Sequence, residues 1–269
     1  MKTLWNYINS INTYDYDAHI HLFDHENTIF DIYTPKTKYL IGFADIDLND
    51  INKYNGKMLD LYKNYIDKYY NDNQILLATA MNVEEIISIY EAFPNIIKGF
   101  GELKMYNSYM GKDLPYKKIS FLKKLCSYIC KFNLSTPIYI HYSLTNDKDV
   151  QMIGNILKAY PNVKIVLCHC GMKKNNNNDF SYYSVINLME KYSNLYVDIS
   201  CVGLYYFSKN PYKITNLDTN RVLLGTDFNI KYFEHENDVT MKDEEIYNNI
   251  LVLNKFVNSD HNVKKLFKA

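Results

Sequence analysis

Short runs rich in β-branched and aromatic residues alternate along this chain with stretches of helical spacing, and no other feature constrains its fold as strongly. The strand-like runs are Tyr14–Leu22, Lys38–Ala44, Ile75–Ala80, Ile96–Lys104, Pro137–His141, Val163–Cys168, Leu195–Ile199 and Val222–Gly225. Among the intervening stretches, Met58, Leu61, Tyr62, Tyr65, Ile66 and Tyr69 keep i, i+3/i+4, i+7 spacing. So do Val83, Ile86, Ile87 and Tyr90, and then Leu122, Leu125, Ile129 and Phe132. Asn82 and Asp147 stand where N-caps are wanted. Phe93-Pro94-Asn95 and Tyr160-Pro161-Asn162 each end a helix, because a proline pushes the residue before it out of the helical region. Strands alternating with helices of this length are βαβ units, which build a parallel sheet. Eight such units in about 250 residues predict an α/β chain folded as a (β/α)8 TIM barrel, one domain over residues 1–269. The alternative, an open doubly wound sheet, lacks here the glycine-rich first turn of its nucleotide-binding versions.

Charge and apolar content narrow the partners. Lys+Arg and Asp+Glu are both 30, for a formal net charge of zero, so electrostatics do not make nucleic acid the default partner. The paired lysines, such as Lys117-Lys118, read as solvated faces. No apolar run approaches the roughly 20 residues of a membrane span. Met1 to Ser10 carries no apolar stretch of the signal-peptide kind. Five cysteines, an odd number without framework spacing, fit reduced thiols in a cytoplasm. The run Asn175-Asn176-Asn177-Asn178 reads as a mobile loop. A homo-oligomer stays open.

The histidines and acids fall at the ends of the strand-like runs. His19 and His21 close the first, at positions i and i+2 that share a strand face. Glu102 and Lys104 end the fourth, His141 the fifth, His169 the sixth, and Asp227 closes the eighth. In a barrel all of these converge on the C-terminal mouth, where barrel enzymes place their chemistry. Imidazoles and carboxylates sharing an apolar-walled mouth need partners to offset desolvation, and a divalent cation satisfies them together. His, Asp and Glu ligation suits Zn2+, with Mn2+ or Fe2+ as substitutes. Tyr106, Tyr142 and Asn229 follow strand ends and are candidate pocket walls for a small-molecule substrate. Cys168 and Cys170 flank His169, and strict alternation would turn both away from it into the core.

Asp17-Ala18-His19-Ile20-His21, followed by Glu102, His141, His169 and Asp227, resembles the amidohydrolase superfamily of metal-dependent barrel hydrolases. The tail Asn262-Val263-Lys264-Lys265-Leu266-Phe267 is similar to the Asn-x-x-x-Leu-Phe ending of its amidohydrolase-related branch. The resemblance implies that His19 and His21 bind a first metal with Asp227 nearby. It implies that His141 and His169 bind a second metal or the substrate. A fourth-strand Glu or a carbamylated Lys would bridge the pair. Glu102 follows a glycine as in the TatD-like deoxyribonucleases, and Lys104 lies two residues on. A carboxylate ligates without modification, which favours Glu102 and leaves Lys104 to hold a substrate anion. The eighth run reads Gly225-Thr226-Asp227-Phe228, closer to the amidohydrolase-related branch than to the TatD-like one.

The expected activity is hydrolysis of an amide, ester, lactone or phosphoester bond by water activated on one or two divalent ions. Asp227 would be the proton acceptor, and His169 would assist in catalysis. A one-metal decarboxylase of the same superfamily and a TatD-like deoxyribonuclease are the alternatives.

Overall fold

The computed structural model describes residues 16–21, 38–42, 58–70, 72, 74–80, 82–105, 115–173, 177–227 and 243–267. Eight strands lie in them: β1 (Tyr16–His21), β2 (Lys38–Gly42), β3 (Gln74–Ala78), β4 (Ile97–Lys104), β5 (Ile138–His141), β6 (Ile165–Leu167), β7 (Leu195–Ile199) and β8 (Val222–Leu224). They form one sheet in chain order, with every neighbouring pair parallel. The helices are α1 (Met58–Tyr69), α2 (Val83–Ala92), α3 (Pro115–Lys131), α4 (Asp147–Ala159), α5 (Asp179–Lys191), α6 (Val202–Ser208), α7 (Asp243–Leu253) and α8 (Ser259–Phe267). Among the described residues no helix is long and apolar enough to cross a membrane. The five cysteines are all free thiols.

Of the residues placed on helix faces by their spacing, Met58, Tyr62 and Tyr65 of α1, Val83 and Ile86 of α2 and Leu122, Leu125 and Ile129 of α3 are buried, whereas Leu61, Ile66, Ile87 and Tyr90 are half-buried against the same core. Phe132 differs: α3 stops at Lys131, and Phe132 is 51% exposed. Asn82 caps α2 by accepting the Glu85 N–H. At α4 the cap is Asn146, which accepts from Lys148 N and Asp149 N, so Asp147 is the first helical residue rather than the cap. An acid there still favours the helix through its dipole.

Strand alternation divides the core into two layers. Ile138 and Ile140, Ile165 and Leu167, and Leu195, Val197 and Ile199 pack in the large cluster beneath the helices. Their alternates Tyr139, Val166 and Tyr196 join Ala18, Leu77 and Leu223 in a second cluster on the concave side of the sheet. Val263 and Leu266 of α8 belong to this inner cluster.

The sheet curls so that the segment after β8 comes against β1. Asp227 N–H donates to the His19 carbonyl at 2.8 Å, and Thr226 N–H donates to Asp17 Oδ1 at 2.9 Å. The C-terminal motif secures this end. Asn262 Nδ2 donates to the carbonyls of Thr219 and Val222, both at 2.7 Å. Ser259 Oγ accepts the Leu224 N–H at 2.9 Å. Asn262→Leu removes two donors from enclosed carbonyls and is expected to destabilise the fold by about 2–4 kcal/mol. A urea midpoint unchanged from wild type would show that the tail carries no such role.

Of the Asn175–Asn178 run, residues 175 and 176 lie outside the described residues. Asn178 is buried and clasps Lys173, accepting from its N–H and donating to its carbonyl.

Candidate metal centre

The carboxylate of Glu102 is the point on which three imidazoles converge. Its Oε1 lies 2.8 Å from His141 Nδ1, 3.3 Å from His169 Nε2 and 3.8 Å from His19 Nε2. The ring centroids of His141 and His169 are 4.5 Å apart, edge to face, and those of His19 and His169 are 5.1 Å apart, stacked. Asp227 closes the cluster, with Oδ1 3.4 Å from His19 Nε2 and Oδ2 3.8 Å from His169 Nδ1. His19, Glu102, His169 and Asp227 are each at most 3% exposed.

The chain leaves regular strand geometry to achieve this. The register of β1 against β2 shifts between Asp17 and Ile20, next to His19. His169 does not end a strand: β6 stops at Leu167, and a 3-10 turn follows in which His169 and Cys170 both have φ 55°. Alternation therefore does not govern Cys168 and Cys170. Both are buried, but Cys168 joins the inner cluster and Cys170 the outer one. Asp227 lies three residues beyond β8, also left-handed at φ 58°. Gly225 makes room for that approach, since a Cβ there would come within 2.5 Å of His19 Cβ.

Asp17 opens the histidine motif but has a separate task. It accepts the Thr226 N–H, the Thr226 hydroxyl at 2.7 Å and the His19 N–H at 3.2 Å, and so ties β1 to the segment bearing Asp227. Burial pushes its carboxyl up to about 6 against the lowering effect of the Thr226 bonds.

The electrostatics favour a cation here. Burial opposes protonation of His19, yet Asp198, Asp227 and Glu102 together push its pKa up to about 10. Burial also opposes ionisation of Glu102, but His141, His169 and His19 hold its carboxyl well below the ordinary range. Desolvation lowers His141, assisted by His169 and Lys104 and resisted by Glu102. Burial lowers Lys104 to about 8, with Asp227 acting the other way. The donor set fits a divalent ion. One ligand atom each from His19, Glu102 and His169 lie within 4.8 Å of one another. The separations of 3.3, 3.4 and 3.8 Å bracket the roughly 3.4 Å between ligand atoms around a tetrahedral Zn2+ with bonds near 2.1 Å.

Of the other residues singled out from the sequence, His21 ends β1 with its side chain outside the described set, and Tyr106 and Asn229 lie outside the described residues. Tyr142 donates its hydroxyl to Asp149 Oδ1 at 2.6 Å, which braces the start of α4. Sequence reading missed Asp198 and Ser200 of the β7 end. Asp198 Oδ2 is 2.5 Å from His19 Nδ1, and Ser200 Oγ is 2.9 Å from His169 Nδ1. An acid inside the otherwise apolar run Leu195–Ile199 was the available signal. Cys168 also borders Asp198 and His19, and burial and then Asp198 raise its thiol well above the usual range.

A family model described as amidohydrolase matches residues 99–239, just over half of the chain. No curated protein matches the sequence. Among solved structures, an amidohydrolase from Burkholderia multivorans with bound zinc superposes with a TM-score of 0.57 at 9% identity, covering 94% of this chain and 95% of that one. A probable 2-pyrone-4,6-dicarboxylic acid hydrolase from Acinetobacter baumannii with citric acid bound gives 0.56 at 15% identity, covering 94% and 98%. A TatD family hydrolase from Entamoeba histolytica gives 0.50 at 12% identity, covering 85% and 84%. At these identities the structures speak for a shared fold.

Proposed function

The chain belongs to the amidohydrolase family of hydrolytic enzymes, and on that premise we propose that it cleaves an amide, ester, lactone or phosphoester bond of a small molecule with one or two divalent ions, Zn2+ foremost. The observation that carries this reading is the convergence of His19 and His169 on Glu102, with Asp227 against both imidazoles, in a buried cluster. We further read the curled sheet as a closed (β/α)8 barrel, the whole chain as one domain, and the free thiols as those of a cytoplasmic protein.

His19, His169 and Glu102 would hold the ion, with Asp227 beside them and His21 as the expected partner from β1. When bound, a divalent ion supplies Lewis acidity, lowering the pKa of water toward neutrality and polarising the bond to be broken. Asp227 accepts the proton from the attacking water and returns it to the leaving group. His141 hydrogen-bonds the charge that develops on the attacked oxygen, with His169 assisting. Glu102 orients His141 through its Nδ1. Lys104, near Asp227, holds an anionic group of the substrate, with Tyr142 as a candidate pocket wall.

Elemental analysis of protein purified without chelator tests the reading. About one to two equivalents of Zn, Mn or Fe are expected, and His19→Ala combined with His21→Ala is expected to lose most of it. Full metal retention in that double variant would sink the assignment.

A further inference from the structure

β7 contributes no residue to the ion-binding set proposed above, yet Asp198 of β7 and Ser200 just after it touch the imidazoles that do. Leu195, Val197 and Ile199 lie in the outer core, so Asp198 and Ser200 face the concave side by alternation. Both are fully buried. Asp198 Oδ2 stands 2.5 Å from His19 Nδ1. Ser200 Oγ stands 2.9 Å from His169 Nδ1 and 3.4 Å from His19 Nδ1. One strand face thus covers the Nδ1 edges of two rings whose Nε2 atoms are turned toward Glu102.

The backbone does not aim these rings by itself. His19 adjoins a register shift, and His169 sits in a left-handed turn. Something else must set their orientation, and the groups placed to do so come from β7. An imidazole that donates Nδ1–H keeps its lone pair on Nε2, and a carboxylate acceptor makes that lone pair more basic.

We infer that Asp198 is a positioning residue that fixes the orientation and tautomer of His19 for ion binding at Nε2, and that Ser200 does the same for His169. The inference rests on the metal-dependent reading and deepens it by adding β7 to the machinery of the site. Cys168 Sγ lies within 4.8 Å of ligand atoms of Asp198 and His19.

The test is the Zn2+ dissociation constant, measured by chelator competition, in Asp198→Leu, Asp198→Asn and Ser200→Ala. Folding is checked by urea unfolding, and His19→Ala serves as a control. Asp198→Leu is expected to weaken binding toward 100-fold, within the 10–100-fold range for such outer groups. Asp198→Asn keeps an acceptor oxygen and is expected to lose only about tenfold. Ser200→Ala is expected to fall at or below that lower figure. In Zn2+-loaded wild type, proton NMR should show a downfield Nδ1–H resonance from His19, displaced in Asp198→Asn. A merely structural role would lower the urea midpoint and leave the dissociation constant and the resonance in place. Should Asp198→Leu fail to fold, Asp198→Asn decides alone. Zn2+ affinity within twofold of wild type in the folded Asp198 variants, with His19→Ala depleted of zinc, overturns the inference and leaves the hydrolase reading standing. Undiminished zinc in His19→Ala would overturn the reading itself.

Discussion

Asp227→Asn is expected to lower kcat by roughly 10²–10⁴-fold while the bound ion stays in place. The amide cannot take up a proton as the carboxylate does, so the variant removes the proton acceptor and little else. Position 227 suits the experiment. Its φ of 58° is a left-handed conformation that Asn adopts as readily as Asp, and its N–H bond to the His19 carbonyl involves only backbone. His19, His169 and Glu102 remain to hold the ion. The measurement is kcat on an ester, lactone or amide that the wild type turns over, with metal content determined on the same samples. A near-normal rate would show that another group moves the proton.

Glu102→Gln is expected to strip most of the metal, and with it nearly all activity. Glu102 is the common neighbour of three imidazoles, at 2.8, 3.3 and 3.8 Å. A neutral amide there removes a negative charge from the donor set and puts an N–H₂ donor among ring nitrogens. Lys104→Met is the companion variant. It lies two residues further along β4 and takes away a cation, so it is expected to spare the metal and raise KM for an anionic substrate. If Lys104 instead carries a carbamate that binds the ion, the two variants exchange behaviour: Lys104→Met loses metal, and intact-mass analysis under mild conditions shows the added group on wild type. Retention of the full metal complement by Glu102→Gln would remove Glu102 from the ligand set in either case.

Much of this arrangement was legible in the sequence because its signals are local. The period of apolar residues placed all eight strands and the buried faces of α1, α2 and α3, since burial on one side of an element depends on spacing within that element. The departures have equally local physical causes. Phe132 continues the α3 spacing but comes after the helix has ended, so the period no longer applies to it. Asn146 outcompetes Asp147 for the cap because its side chain reaches two backbone N–H groups. Cys168 and Cys170 escape the alternation rule because the strand stops one residue before the first of them.

What the sequence determined by itself is which residue types stand at the ends of the strands or just beyond them: His19, Glu102, His141, His169 and Asp227. A parallel sheet with its strands in chain order carries such ends to one edge, so naming the strands was enough to gather the cluster. What only the tertiary structure decided is how those groups are held. Asp198 meets His19 across 179 residues of chain, Thr226 meets Asp17 across 209, and Asn262 secures Val222 across 40. Tyr142, expected to line the pocket, also places its hydroxyl on Asp149. These pairings depend on the curl of the sheet and on left-handed turns at His169 and Asp227. Periodicity reports which side of an element is buried, but the partner met there is set by the curl of the sheet, which brings together residues with no spacing relation along the chain.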